Sequence, residues 1–202
     1  MLDSTRPIGN PNTDPGRPKT TSAGVLQSWY VLRATYAREL KVKADLEDKG
    51  VRAFVPMMWS TRHTRPDRAS EKKLVPAVSG LVFVRWTREG IDAYIRSFGE
   101  ARPVNYYWDR TTDSPLTVPE KAMEDFITIA SSMDEDLIYL TEISEKLREG
   151  QTVTITEGAF KGVSGKVVRI KKNKRVMVEL PGMLAVTTNF VSPMALKIEN
   201  EK

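Results

Sequence analysis

The side chains that most often carry catalysis are scarce in this chain. It has no cysteine and a single histidine, His63, which excludes disulfides, thiolate zinc sites, cysteine nucleophiles and clustered histidine ligands. Adjacent carboxylates occur at Glu47-Asp48 and Glu124-Asp125. General acid and base work needs groups that converge on one reacting proton, whereas sequence neighbours on amphipathic helices diverge into solvent. The expectation is a protein that is not an enzyme, with no metal and no cofactor. His63 reads as an exposed loop residue.

What remains is charge and backbone shape. The net charge is +5. Acidic residues gather in 132–149, and the stretch after them is strongly basic for its size, a body that tolerates a polyanion. Arg62, Arg65 and Arg68, and then Lys171, Lys172, Lys174 and Arg175, are the groups that would touch nucleic-acid phosphates or a partner. A solvated face is the competing reading for each.

Elements must position these groups, and hydrophobic content of 40% supplies cores for them. Residues 1–27, rich in proline and glycine, read as a disordered tail. Trp29, Tyr30, Val31 and Leu32 make a short strand ending near Thr35, a helix cap. A helix over 36–49 follows, closed by Gly50. Strands are expected at 51–59 and 78–86, with a long loop over 60–76 between them. Thr87 caps a helix with Ile91, Tyr94, Ile95 and Phe98 on one face. A strand at 104–108 and a helix from Pro119 complete an N-terminal body over 28–131. With too few crossover helices for parallel pairing, its sheet should be mainly antiparallel. The acidic linker 132–148 can be helical, since Leu137, Leu140, Ile143 and Leu147 recur at helical spacing. No apolar run is long enough for a membrane span, and the N-terminus lacks a signal peptide's apolar core. A cytoplasmic monomer is expected.

Residues 149–202 read as a small β-barrel, because short β-branched runs are broken by glycine and charge. The sharpest signal lies over 150–167, where Gly158, Gly162 and Gly165 stand between alternating strand residues and Phe160 closes one barrel end. This stretch resembles a KOW motif. KOW modules occur in ribosomal proteins as well as transcription factors, so a ribosome-associated RNA-binding protein is the alternative reading.

The N-terminal body resembles the NusG N-terminal domain. Trp29-Tyr30-Val31, the helix with Glu39, Lys41 and Val42, then Phe54-Val55-Pro56, Gly80-Leu81-Val82-Phe83-Val84 and Pro115-Leu116 carry the resemblance. Ser79 stands where a proline usually precedes the glycine. Residues 104–112, Asp134-Glu135-Asp136 and Leu180-Pro181-Gly182-Met183 are most similar to the specialised UpxY-type antiterminators of capsular polysaccharide operons. The resemblance implies an α+β chain, an α/β sandwich joined to an SH3-like barrel, that binds RNA polymerase and suppresses pausing or termination. It further implies DNA or nascent-RNA contact and another protein partner at the barrel. Tyr30, Tyr36, Val78, Leu81 and Phe83 would line a depression seated on the polymerase clamp, and Trp86, Thr87 and Arg88 would face the opposite lobe.

Overall fold

The computed structural model describes residues 26–62, 71–142, 150–170 and 172–199. The tail up to residue 25, His63, Arg65, Arg68 and Lys171 lie outside them, as does the side chain of Arg62.

The N-terminal sheet is built around β1 (Ser28–Ala34), which pairs antiparallel with β5 (Leu81–Trp86) so that Val31 stands opposite Phe83. The strand β2 (Arg52–Phe54) lies beyond β5, while β6 (Val104–Tyr106) and β9 (Thr117–Val118) pair with the other side of β1. Successive side chains of β1 and β5 point to opposite faces, and both faces are covered, so both strands are apolar almost throughout. On one face α1 (Glu39–Asp48) and α2 (Arg88–Arg96) bring Val42, Leu46, Ile91 and Tyr94 over Leu32, Val82 and Val84. On the other, α3 (Glu120–Ala130) brings Met123, Phe126 and Ile129 over Trp29, Val31 and Phe83. Each such large side chain, fully buried, contributes on the order of 2 kcal/mol.

Thr87 caps α2 as expected, its hydroxyl accepting the Gly90 amide hydrogen at 3.1 Å, and α3 follows Pro119 directly. The first helix differs. It begins at Glu39 because Tyr36 and Ala37 adopt φ of 59° and 51°, left-handed values no helix accepts. Thr35 is not its cap, since its hydroxyl donates to the Pro103 carbonyl. The single strand expected over 51–59 is two, β2 and β3 (Met57–Arg62), separated at Pro56. Much of the expected 60–76 loop is strand as well. Here β3 pairs with β4 (Glu71–Pro76), setting Ser60 opposite Lys73 and Thr61 opposite Lys72. A two-stranded ribbon satisfies its backbone groups by cross-strand bonds and needs no continuous apolar face, so composition alone hid it.

After 104–106 a small hairpin forms from β7 (Trp108–Asp109) and β8 (Ser114–Pro115). The second body contains β10 (Ile138–Leu140), β11 (Thr152–Ile155), β12 (Ser164–Ile170), β13 (Asn173–Leu180), β14 (Leu184–Thr187) and β15 (Leu196–Ile198). They form one antiparallel sheet in the order β10-β14-β13-β12-β11-β15. The fold class is α+β with mostly antiparallel sheets, as expected. Gly158 and Gly162 turn the chain at φ of 81° and 88°, while a Cβ on Gly165 would stand 2.5 Å from the Met177 carbonyl oxygen. The helical spacing in the linker is not realised where it is described. Residues Ile138–Leu140 are instead a strand, paired so that Tyr139 faces Val186 of β14. An open strand edge on β14 satisfies more backbone groups than an isolated helical turn would.

Candidate functional site

The two sheets do not stand apart. The apolar cluster under α3 continues from Phe83 and Phe126 into Val176, Val178, Leu184 and Val186 of the barrel, so α3 is a wall of both cores. Polar contacts fasten this joint. The Asp125 carboxylate, nearly buried, accepts the Ser164 amide hydrogen at 3.3 Å and pairs with Lys121, whose Nζ also donates to the Gly162 carbonyl at 3.1 Å. Gly162 and Gly165, motif glycines of the sequence, thus flank the point where the barrel meets the helix.

The linker is a second fastening. The Trp59 indole donates to the Met133 carbonyl at 2.9 Å, the Tyr139 hydroxyl donates to the Met57 carbonyl at 3.1 Å, and Lys72 pairs with Glu135 at 2.6 Å, all joining the linker to the β3–β4 ribbon. On the other side the Asn189 side chain donates to Asp134, and Arg175 donates to the carbonyls of Asp136 and Thr188 at 2.6 and 2.8 Å. Burial pushes the Tyr139 hydroxyl up to about 12.

Against this geometry the five residues expected to line one depression do not share a surface. Leu81 and Phe83 are fully buried beneath α3, and Val78, half-buried, packs against the same cluster. Tyr30 lies on the opposite face of the sheet, because β1 reverses its side-chain direction at every residue. Tyr36 is 84% exposed on the left-handed turn before α1, with the Arg38 guanidinium 5.5 Å from its ring centre.

Of the expected second group, Thr87 is occupied as the cap of α2, while Arg88 lies with Tyr30 and Tyr106. Tyr30 and Tyr106 rings lie 6.0 Å apart, and the Arg88 guanidinium sits 4.9 Å over Tyr106. Arg88 pairs with Asp92, which also accepts the Tyr106 hydroxyl hydrogen at 2.9 Å. Trp86 packs so closely on Gly90 that a Cβ there would meet the indole at 2.5 Å. Burial raises the hydroxyl pKa of Tyr30, and burial followed by the Asp92 hydrogen bond raises that of Tyr106. Both rings remain neutral donors, one partly desolvated surface of aromatic rings and a cation. Tyr106 and Asp92 were missed as site residues. Asp92 lies one turn after Arg88 in the sequence, and that spacing was the available signal.

Of the basic groups expected on phosphates, Lys172 and Lys174 are exposed at the β12–β13 turn, where Lys174 stands opposite Arg169. Arg175 departs from them, since its guanidinium is spent on the two carbonyls that hold the linker. Phe160 packs at the edge of the joint cluster and lines a cleft at one barrel end. Among the described residues no group of histidine, cysteine and carboxylate side chains could hold a metal ion. No described helix is long and apolar enough to cross a membrane.

Comparison with known proteins agrees with these two bodies. The family described as "Transcription termination factor nusG" matches residues 27–127, half of the chain, and the KOW motif matches residues 149–179. No curated protein matches. Among solved structures, one described as "Domain interaction in Thermotoga maritima NusG" is similar at 20% identity and a TM-score of 0.43, over 85% of this chain and 96% of that one. With the N-terminal match spanning its first sheet and the KOW match following in order, the chain belongs to the NusG family of transcription elongation factors.

Proposed function

We propose that the chain binds RNA polymerase in the cytoplasm and suppresses pausing or termination, on a long polysaccharide operon in the manner of the UpxY-type antiterminators. The observation that carries the polymerase contact is the half-buried cluster of Tyr30, Trp86, Arg88 and Tyr106. Aromatic rings with a cation on a rigid sheet face are the composition of a protein-binding surface, at little entropic cost. Tyr36, exposed on the turn before the first helix, is a separate contact in this reading. Val78 lies at the margin of the barrel contact, so its side of the sheet would meet polymerase only once the barrel moves aside. A factor that binds the closed polymerase more tightly than the open one shifts it toward the closed, processive state and breaks no bond.

The test is capture of purified polymerase by the full chain, followed by measurement of pause lifetimes. Capture with shortened pauses is expected, weakened by about tenfold in Arg88→Ala. Absence of capture sinks the proposal. Steeply salt-dependent RNA binding without polymerase would point instead to the ribosome-associated reading, through Lys172 and Lys174.

A further inference from the structure

A groove of about 370 Å³ runs between α1 and the end of α2, on the helical face of the first sheet. Val42, Tyr94, Phe98, Ala101 and Pro103 give it an apolar lining. Arg38 and Lys41 stand along its other wall, both exposed and about one turn apart. The one carboxylate that lines the groove, Asp45, is already paired with Lys49 at 2.6 Å, whereas Arg38 and Lys41 are in no ion pair among the described residues. Two cations at the start of a helix oppose its dipole. Glu39, the acidic residue of that first turn, is turned inward to the Gly80 amide. The outward field at this end of α1 is therefore positive, and the helix gains nothing from it.

We infer that this groove is a docking site for an acidic protein segment that inserts one large aliphatic side chain between carboxylates. Val42, Phe98, Ala101 and Pro103 supply the apolar pocket for the anchor. Arg38 and Lys41 supply the charge complementarity that selects aspartate or glutamate beside it and disfavours basic segments. A nucleic-acid strand would use the same two cations but also needs an open ring on which a base can stack. The groove lacks one, because Tyr94 is only 5% exposed and its ring is already met by Phe98 at 5.1 Å and by the Lys49 ammonium at 5.9 Å. A single aliphatic side chain needs no such platform. The inference is independent of the polymerase contact, since Arg88 opens α2 and the groove lies at the other end of that helix.

The experiment titrates the full chain with a blocked pentapeptide carrying two glutamates on each side of one leucine, and with the same peptide carrying lysines. Amide signals of Phe98 and Ala101 and the binding isotherm are followed together. The glutamate peptide is expected to bind saturably and the lysine peptide not. Arg38→Gln and Lys41→Gln should each weaken the glutamate peptide by about fivefold to tenfold, less so at high salt, without lowering the melting temperature. Ala101→Leu, at an exposed position, fills the groove and should weaken binding by about tenfold or more in a chain that melts as the parent does. Arg88→Ala should bind the peptide as the parent does, which separates this groove from the polymerase surface. No binding of either peptide, equal binding of both, or binding that Ala101→Leu leaves intact overturns the site. Displacement of the peptide by a single-stranded oligothymidylate that itself weakens in Lys41→Gln would make the groove a nucleic-acid site and overturn the proposal. Self-association of the chain that Ala101→Leu abolishes would make it an interface between copies and equally overturn it.

Discussion

The carboxylate of Glu39 accepts the amide hydrogen of Gly80 at 2.6 Å, with both residues out of solvent. One bond thus joins the first turn of α1 to the tight turn that opens β5. Gly80 has φ of 76°, and a Cβ there would stand 2.8 Å from the Ala34 carbonyl oxygen. Gly80→Ala should therefore cost about 2 kcal/mol or more by denaturant unfolding, from left-handed strain and a backbone clash together. Glu39→Gln, which can still accept, should cost about 1 kcal/mol, and Glu39→Ala more. Equal stability of the glycine and alanine proteins would show that the turn relaxes freely.

Phe83 and Tyr36 should separate core from contact. Phe83→Ala opens a cavity between β5 and α3 and should lower stability by about 3–5 kcal/mol. Tyr36→Ala, at an exposed turn, should stay within about 0.5 kcal/mol of the parent while weakening polymerase capture. Thermal melts distinguish the two. An unchanged melting temperature in Phe83→Ala would place the wrong ring in the core.

Alkaline pH should loosen the linker. The Tyr139 hydroxyl is raised by burial from 10.0 to about 12, so between these values the unfolded chain loses a proton that the folded chain keeps. Its contribution is fully present below pH 10 and is lost as pH rises toward 12. Tyr139→Phe cannot ionise. Stability measured against pH should fall more steeply for the parent than for Tyr139→Phe above pH 10, and parallel curves would refute the assignment.

Asp125→Ala should weaken the seating of the barrel on α3. It strips the Ser164 amide of its carboxylate partner and Lys121 of its ion pair, a loss of about 1–3 kcal/mol. Since the chain has no cysteine, two introduced cysteines, one in each body, carry spin labels without background. The distance distribution between them should broaden toward longer values in the variant, with the strand content of both bodies retained. A distribution identical to the parent's would mean that apolar contact alone holds the joint.

How much of this was legible in the sequence follows from what each signal depends on. Continuous apolar runs located β1 and β5, and helical spacing located α2 and α3, because their buried residues are continuous or periodic along the chain. The glycines at 158, 162 and 165 announced the barrel because each has a steric reason close in sequence or across one strand pair. The β3–β4 ribbon escaped because Thr61, Lys72 and Lys73 face solvent, and only long-range pairing makes them strand. Tyr30 was placed with Phe83 because local sequence does not say which neighbours cover each face of a strand covered on both sides. Arg175 looked like its lysine neighbours, yet it was separated from them by two carbonyls, Asp136 and Thr188, brought to it only by the fold.

The strand β10 sets the reach of the barrel. While it remains zipped to β14, only residues 131–137 connect the end of α3 to the second body. Fully extended, such a segment spans about 24 Å, roughly the width of a small domain. A barrel released from α3 but not unzipped would therefore stay within a short radius of the helix and return quickly, at the high local concentration of a short leash. Peeling β10 from β14 lengthens that leash at least through Leu140 at the loss of three paired residues. Travel thus comes in two ranges, a near one governed by the contacts on α3 and a far one that must also open the sheet.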